Sequence, residues 1–103
     1  MNRLKIYLAG PVRGIPNYRE RFAVARYCYT RAGCAVLDPS LLPEGMEQAD
    51  YMRICMAMIQ SADYVLLLSG WEKSEGSRLE KAYADMTGVP VEEYEDGEED
   101  GGE

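Results

Sequence analysis

Short apolar runs alternate with amphipathic segments along this chain, and the alternation constrains its fold more than any other feature. The apolar runs predict strands at residues 4–9, 34–37, 64–68 and 89–91. The amphipathic segments, with apolar side chains at helical spacing, predict helices at residues 18–31, 51–61 and 77–86. Alternating strands and helices are typical of a parallel sheet that carries helices on both faces.

Crossover connections between parallel strands are right-handed, which leaves few topologies for so short a chain. We predict a small three-layer α/β domain, flavodoxin-like or Rossmann-like, with about four strands in the order 2-1-3-4. In this order the switch point lies between the first and third strands, so the loops that follow them flank the ligand crevice. The first of these loops carries Gly10 and Arg13. Arg13 suits an anion clamp, although a solvated arginine fits the sequence equally well.

The loop after the third strand, with the helix start that follows it, has the composition of a polar ligand site. Residues 69–80 hold two glycines, three serines and one tryptophan, and end on Glu80. This mixture suits a sugar or a nucleotide better than an apolar ligand. Ser77 and Glu80 also fit a capping box, in which the glutamate returns to the Ser77 amide. The alternative is that Glu80 points into the crevice, which its place beside the switch point favours.

The residue types that are missing restrict the chemistry. The chain contains no histidine, which excludes a histidine general base and most zinc sites. Its three cysteines show no paired metal spacing, so we expect them to be reduced thiols in apolar surroundings. Acid–base chemistry must then come from carboxylates, tyrosines, lysines or thiols. We predict no metal and no cofactor.

The negative charge is concentrated at the carboxyl terminus. The net charge is −7, but eight of the 18 acidic residues lie at 92–103, which leaves 10 acids against 11 bases elsewhere. We therefore predict a folded domain at 1–93 and a disordered acidic tail at 94–103. Without a basic field, duplex nucleic acid is not an expected partner. No run approaches the roughly 20 apolar residues that span a bilayer, so we expect no membrane association and a cytoplasmic location.

Four segments carry a family resemblance. They read IYLAGPVRG at 6–14, DP at 38–39, SADYVLLL at 61–68 and GWEKSEGSRLEKA at 70–82. Together they resemble the small phage and bacterial DUF4406 proteins, within the nucleoside 2-deoxyribosyltransferase-like superfamily. The resemblance covers about residues 4–91, and the block at 70–82 is its most specific part.

The resemblance implies roles for individual residues. Glu80 matches a nucleophilic glutamate, and Tyr7 matches a tyrosine that lines the sugar site. Arg13 and Ser74 match residues that bind a phosphate. The position of the general-acid aspartate is occupied here by Cys55, and a thiol is a poor replacement. Asp38 or Asp50 remain as candidate substitutes.

We therefore predict cleavage or transfer at the N-glycosidic bond of a deoxynucleoside or its 5′-monophosphate, through a covalent intermediate on Glu80. The predicted catalytic residues are Glu80 and Tyr7. The predicted substrate-binding residues are Gly10, Arg13, Asp38, Trp71, Ser74, Gly76 and Ser77. Because Cys55 replaces the expected acid, a non-catalytic nucleotide-binding protein is the alternative. An interaction protein that works through its tail and oligomer surface is a third possibility. The resemblance also implies a homodimer or a higher homo-oligomer.

Overall fold

The structure is a computed structural model that describes residues 3–94. Most of the predicted tail lies outside the described residues, namely 95–103. Tyr94 is an exception, and its assignment to the tail is wrong. Its amide donates to the Leu67 carbonyl at 2.8 Å, and its ring packs against Tyr29. The folded domain therefore includes Tyr94, because the strand ladder and an aromatic contact both hold it.

Within residues 3–94, four parallel strands form one sheet in the order β2-β1-β3-β4, as predicted. The strands are β1 Lys5–Ala9, β2 Ala35–Leu37, β3 Tyr64–Leu67 and β4 Val91–Glu93. The helices are α1 Tyr18–Arg31, α2 Gln48–Ser61 and α3 Glu75–Thr87. Short 3₁₀ turns at Pro39–Leu41 and Trp71–Lys73 follow β2 and β3. Within residues 3–94, no helix combines the length and apolar composition needed to cross a membrane.

Two apolar cores lie on opposite faces of the sheet. Successive side chains of a strand point to opposite faces, so Tyr7 and Ala9 of β1 face one core while Ile6 and Leu8 face the other. The first core is closed by α2 and α3, and the second by α1. This arrangement follows from right-handed crossovers, because the chain moves one way from β1 to β2 and the other way from β1 to β3 and β4.

The last strand lies two residues later than predicted. Gly88 adopts the left-handed conformation, with φ of 81°, and the Val89 amide donates to the Ala84 carbonyl of α3 at 2.9 Å. Val89 therefore completes the end of the helix and is not free to enter the ladder. The ladder begins with the Pro90 carbonyl, which accepts from the Val65 amide at 2.9 Å. The prediction of a short edge strand is confirmed, because β4 lies at the edge of the sheet next to β3.

The start of α2 also differs from the prediction. Glu47 occupies the N-cap position, so α2 begins at Gln48, three residues before the predicted start. Asp50 lies in the first turn and pairs with Arg53 at 2.7 Å. Cys55 and Ile59 form the buried face, whereas Ile54 is 37% exposed.

Candidate functional site

Glu80 does not cap its own helix. The helix α3 begins at Glu75, and its N-cap is Ser74, whose Oγ accepts from the Ser77 amide at 3.2 Å. Ser77 is therefore already inside the helix, and the predicted capping box between Ser77 and Glu80 is wrong. The Tyr7 hydroxyl instead donates to Glu80 Oε2 at 2.9 Å, in a buried position. Glu80 is directed at the centre of the sheet.

The position of Tyr7 follows from the sheet. Tyr7 lies in the middle of β1, where it pairs with Leu37 of β2 on one side and Val65 of β3 on the other. Its side chain is fully buried and points toward α2 and α3. A phenol in such a place needs a hydrogen-bond partner, and the partner is Glu80.

The helix α2 adds a thiol and a second phenol to this cluster. Cys55 is buried in the same core as Tyr7, and its thiol interacts with Tyr7, Tyr51 and Glu80. Tyr51 precedes Cys55 by one helical turn, so both side chains point the same way. Tyr51 is half-buried and packs on the same core. We refer to Tyr7, Tyr51, Cys55 and Glu80 as the Glu80 cluster.

Burial dominates the protonation of this cluster. It raises the pKa of Glu80 from 4.5 to about 7, against the opposing effect of hydrogen bonds from Tyr7 and Cys55. Burial likewise raises the pKa of the Cys55 thiol to about 11, and the charge of Glu80 adds to this. The pKa of Tyr7 is also raised, first by burial and then by Glu80. Near neutral pH Glu80 is therefore present in both forms, while Cys55 keeps its proton.

The loop after β3 leaves two buried polar atoms without a partner among the described residues: Trp71 Nε1 and Ser77 Oγ. Trp71 packs on the first core, and Lys81 Nζ lies 6.0 Å from its ring centroid. Ser77 is one turn before Glu80 on α3 and is 1% exposed. Buried polar atoms are rarely left unpaired in proteins, so these two atoms have bonding capacity to offer a ligand.

The two predicted site glycines, Gly10 and Gly76, differ in how closely other atoms pack around them. A Cβ on Gly10 would lie 2.9 Å from the Leu68 Cβ, so Gly10 allows β1 and β3 to end side by side. A Cβ on Gly76, in the first turn of α3, would meet nothing within 4 Å. Gly10 is thus required by packing, and its predicted substrate contact remains a prediction, as does that of Gly76.

Arg13 lies on the surface beside the start of α2. Its side chain is exposed, and its Nη2 donates to Gln48 Oε1 at 3.4 Å. This single long contact joins the loop after β1 to α2. The guanidinium is therefore in solvent and available to an anion.

Asp38 does not join the Glu80 cluster. It follows β2 on the α1 face of the sheet, where its buried carboxylate forms an ion pair with Arg26 and accepts from the Ser40 amide at 2.8 Å. Both carboxylate oxygens thus hold the connection from β2 to α2. Asp50 is exposed and paired with Arg53. Neither aspartate is placed to substitute for an acid beside Glu80, and the predicted contact of Asp38 with substrate remains a prediction.

A groove of about 430 Å³ lies elsewhere, between the end of α3 and β4. Its lining includes Lys81, Asp85 and Glu93, but neither Tyr7 nor Glu80. Glu80 itself is 6% exposed. The groove and the Glu80 cluster are therefore separate features.

Sequence reasoning missed one member of the site and one role of another. Tyr51 lies in a predicted helix but is not among the predicted site residues, although its spacing of four from Cys55 indicates that both side chains reach the same place. Ser74 is predicted only to bind a phosphate, although a serine three residues before Ser77 is also a capping signal. Both signals are local in sequence, and neither identifies the residues that the side chain contacts in the folded chain.

Comparison with known proteins agrees with this architecture. The sequence model of a family described as a domain of unknown function, DUF4406, matches residues 4–93. Among solved structures, a 2-deoxyribosyltransferase from Bacillus psychrosaccharolyticus is similar with a TM-score of 0.69 and 21% identity, over 86% of this chain and 70% of that one. A 2-deoxyribosyltransferase from Leishmania mexicana gives 0.65 and 22%, over 88% and 63%. A conserved protein from Enterococcus faecalis V583 gives 0.63 and 18%, over 89% and 63%.

At these identities the likeness shows a shared fold. The chain spans 70% of the length of the first of these proteins and 63% of the other two. No curated protein sequence matches it.

Proposed function

This chain belongs to the DUF4406 family, and on that premise we propose that it cleaves or transfers the N-glycosidic bond of a deoxynucleoside or its 5′-monophosphate. One observation carries the proposal. Glu80 is buried, does not cap its own helix, and accepts a hydrogen bond from the Tyr7 hydroxyl at 2.9 Å. The shared fold with two 2-deoxyribosyltransferases supports it. A carboxylate held in this way is oriented before a substrate arrives.

In the proposed reaction, ionised Glu80 attacks the anomeric carbon as the bond from that carbon to the base nitrogen breaks. The base leaves with the electron pair of that bond and takes up a proton from solvent. The Tyr7 hydroxyl keeps Oε2 in position throughout. Water then attacks the glycosyl ester and releases the free sugar, the Glu80 carboxylate and one proton to solvent, whereas attack by a second base gives transfer.

The polar atoms around the loop after β3 suit the rest of such a substrate. Ser77 Oγ, buried and unpartnered among the described residues, would bond a sugar oxygen next to Glu80. Trp71 Nε1, the other unpartnered atom, would bond a second acceptor of the ligand. Ser74 keeps a hydroxyl hydrogen to donate while its oxygen caps α3. Arg13 and the first amides of α3 would hold a 5′-phosphate.

The direct test measures free base after incubation with each deoxynucleoside and each deoxynucleoside 5′-monophosphate. We expect release by the unaltered chain and none by Glu80→Ala. Glu75→Ala is the matched control, because it removes an exposed carboxylate from the first turn of the same helix. Equal release by Glu80→Ala and the unaltered chain would end the proposal.

One observation favours a second function, nucleotide binding without turnover. The thiol beside Glu80 has a pKa raised to about 11 by burial, which makes Cys55 a weak donor for a departing base. A binding protein would show a nucleotide-dependent rise in melting temperature with no free base at any pH. Absence of a melting shift with every nucleotide tested would exclude it.

We also propose a homodimer formed through the outer faces of α2 and α3. Three large apolar side chains are exposed there, with Ile54 at 37%, Leu79 at 53% and Met86 at 84%. A second copy of the chain packed on these two helices would cover all three side chains. Light scattering after gel filtration should give twice the monomer mass, and Leu79→Lys should give the monomer. A monomeric unaltered chain at about 100 μM, a concentration far above typical Kd values, would contradict this.

A further inference from the structure

The sheet face away from the Glu80 cluster carries three tyrosines that the proposed function does not use. Tyr29 comes from α1, Tyr64 from β3, and Tyr94 follows β4. All three are half-buried and pack on the second core, where α1 is the one helix on this face within residues 3–94. We call these three residues the tyrosine surface. Their rings cover apolar strand residues while keeping part of their area in solvent.

Two of the three rings form an edge-to-face pair. The Tyr29 and Tyr94 centroids are 6.1 Å apart, with an interplanar angle of 61°. In an edge-to-face pair, the edge of one ring lies against the face of the other. The face of a tyrosine ring is electron-rich and attracts cations.

An acidic side chain adjoins this surface. Glu92 pairs with Leu66 in the β3–β4 register, so it shares the face of Tyr64, two residues from Leu66, and of Tyr94. Burial raises the pKa of Tyr29 and of Tyr64, and the nearby charge of Glu92 is a further cause in both. The Glu92 carboxylate therefore acts electrostatically on both phenols.

Glu92 has no ion-pair partner among the described residues. It is exposed. The sequence that follows adds six acids and no base at 95–103. An exposed carboxylate beside aromatic faces, in a strongly acidic stretch of sequence, is complementary to a cation that has both charge and a flat surface.

We propose that the tyrosine surface and Glu92 bind an arginine side chain of a basic, extended segment of a partner protein. A guanidinium can stack on a ring face and donate to a carboxylate at the same time, which an ammonium does less well. The acidic residues that follow Tyr94 favour a segment with several basic residues over a free small cation. The site lies on the opposite sheet face from Glu80 and does not depend on the proposed glycosidic activity.

The test uses the full chain and a fluorescent hexa-arginine peptide, with affinity measured at low ionic strength. We expect Glu92→Gln to weaken binding about threefold to fivefold, as for the loss of an exposed ion pair next to aromatic rings. Glu93→Gln is the matched control. It removes the same charge from the next residue, which faces the groove on the other side of the sheet, and should change affinity less than twofold.

Both variants keep residues 95–103, so attraction to that stretch contributes equally to each. Equal losses for Glu92→Gln and Glu93→Gln would overturn the proposal in favour of general acidic attraction. Failure of the peptide to bind the unaltered chain would also overturn it.

A second pair of variants tests the ring itself. Tyr29→Phe keeps the aromatic face and should bind the peptide within twofold of the unaltered chain, whereas Tyr29→Leu should bind more weakly. Circular dichroism checks that each variant is folded. If Tyr29→Leu is unfolded, the comparison of Glu92→Gln with Glu93→Gln tests the proposal by itself. Equal weakening by phenylalanine and leucine would show that the hydroxyl, and not the ring face, makes the contact, which contradicts the proposal.

Discussion

The Tyr7 hydroxyl donates to Glu80 Oε2 at 2.9 Å and so joins the central strand β1 to helix α3 across 73 residues of sequence. The bond is buried, and it sets both the direction of the carboxylate and part of its charge state. Without it, Glu80 would be an ionisable group in an apolar core, with the Cys55 thiol as the other group that lowers its pKa by hydrogen bonding. The stability and the proposed chemistry of this domain therefore depend on the same contact.

Tyr7→Phe should destabilise the fold, because it leaves a buried carboxyl with one donor fewer. We expect a loss of about 1–3 kcal/mol in the free energy of unfolding, measured with urea. Tyr64→Phe is the control, since Tyr64 is a half-buried strand tyrosine on the opposite face, and it should cost less than about 0.5 kcal/mol. Equal losses in the two variants would mean that the hydrogen bond from Tyr7 to Glu80 adds nothing to the free energy of unfolding beyond the loss of a tyrosine hydroxyl.

The stability of the chain should fall as pH rises through the range in which Glu80 ionises. Its folded pKa of about 7 exceeds the 4.5 of a free glutamate, so the unfolded state loses its proton first. The stability held by protonated Glu80 is complete below pH 4.5, declines as pH rises, and is lost above about 7. The shift corresponds to a change on the order of 3 kcal/mol.

Urea unfolding at several pH values, compared with Glu80→Gln, isolates this effect, because other carboxyls contribute equally to both proteins. The unaltered chain should lose stability relative to Glu80→Gln between pH 5 and 8. A difference that stays constant across that range would show that Glu80 keeps an ordinary pKa.

Ser74→Ala should cost about 1 kcal/mol of stability, because Ser74 Oγ accepts from the Ser77 amide at the start of α3. Ser77→Ala should be neutral or stabilising, since its own buried hydroxyl has no partner among the described residues. Thermal unfolding of the two variants decides between them. A larger loss for Ser77→Ala would restore Ser77 as the cap.

Gly10→Ala should destabilise the sheet by about 1–3 kcal/mol, because its Cβ would lie 2.9 Å from the Leu68 Cβ. Gly76→Ala meets no neighbouring atom and should be neutral or stabilise α3 by about 0.5 kcal/mol. Chemical denaturation measures both. Similar stability of the two variants would show that the ends of β1 and β3 can move apart at little cost.

Cys55→Asp should increase base release at acidic pH by tenfold or more, if the thiol limits the proposed reaction, since a general acid typically contributes about 10²–10⁴. Cys55→Ser is the control of similar size and should give no increase. The aspartate variant should also be less stable, because two buried carboxyls repel when both ionise. Unchanged base release by Cys55→Asp would show that proton supply to the base is not limiting.

The sequence alone determined the architecture. Apolar runs such as 64–68 and the helical spacing within 18–31 are local patterns, and right-handed crossovers then allow few sheet orders. The same reasoning placed Arg13 and the loop before Glu80 at the carboxyl edge of neighbouring strands. Element ends were less certain, because caps such as Glu47 and Ser74 depend on a single hydrogen bond or backbone angle.

Only the tertiary structure decided which partner each polar side chain has. A helical pattern shows that Glu80 lies on one face of α3, but not that Tyr7, 73 residues away, is the donor it meets. Asp38 is likewise predicted to contact a ligand, but in the structure its carboxylate pairs with Arg26 and accepts from the Ser40 amide. Short-range periodicity comes from the geometry of the backbone, whereas the choice among several candidate partners depends on how distant elements pack. The sequence around Glu80 fits a helix cap, and only the packing of β1 against α3 places it at the centre of a buried cluster.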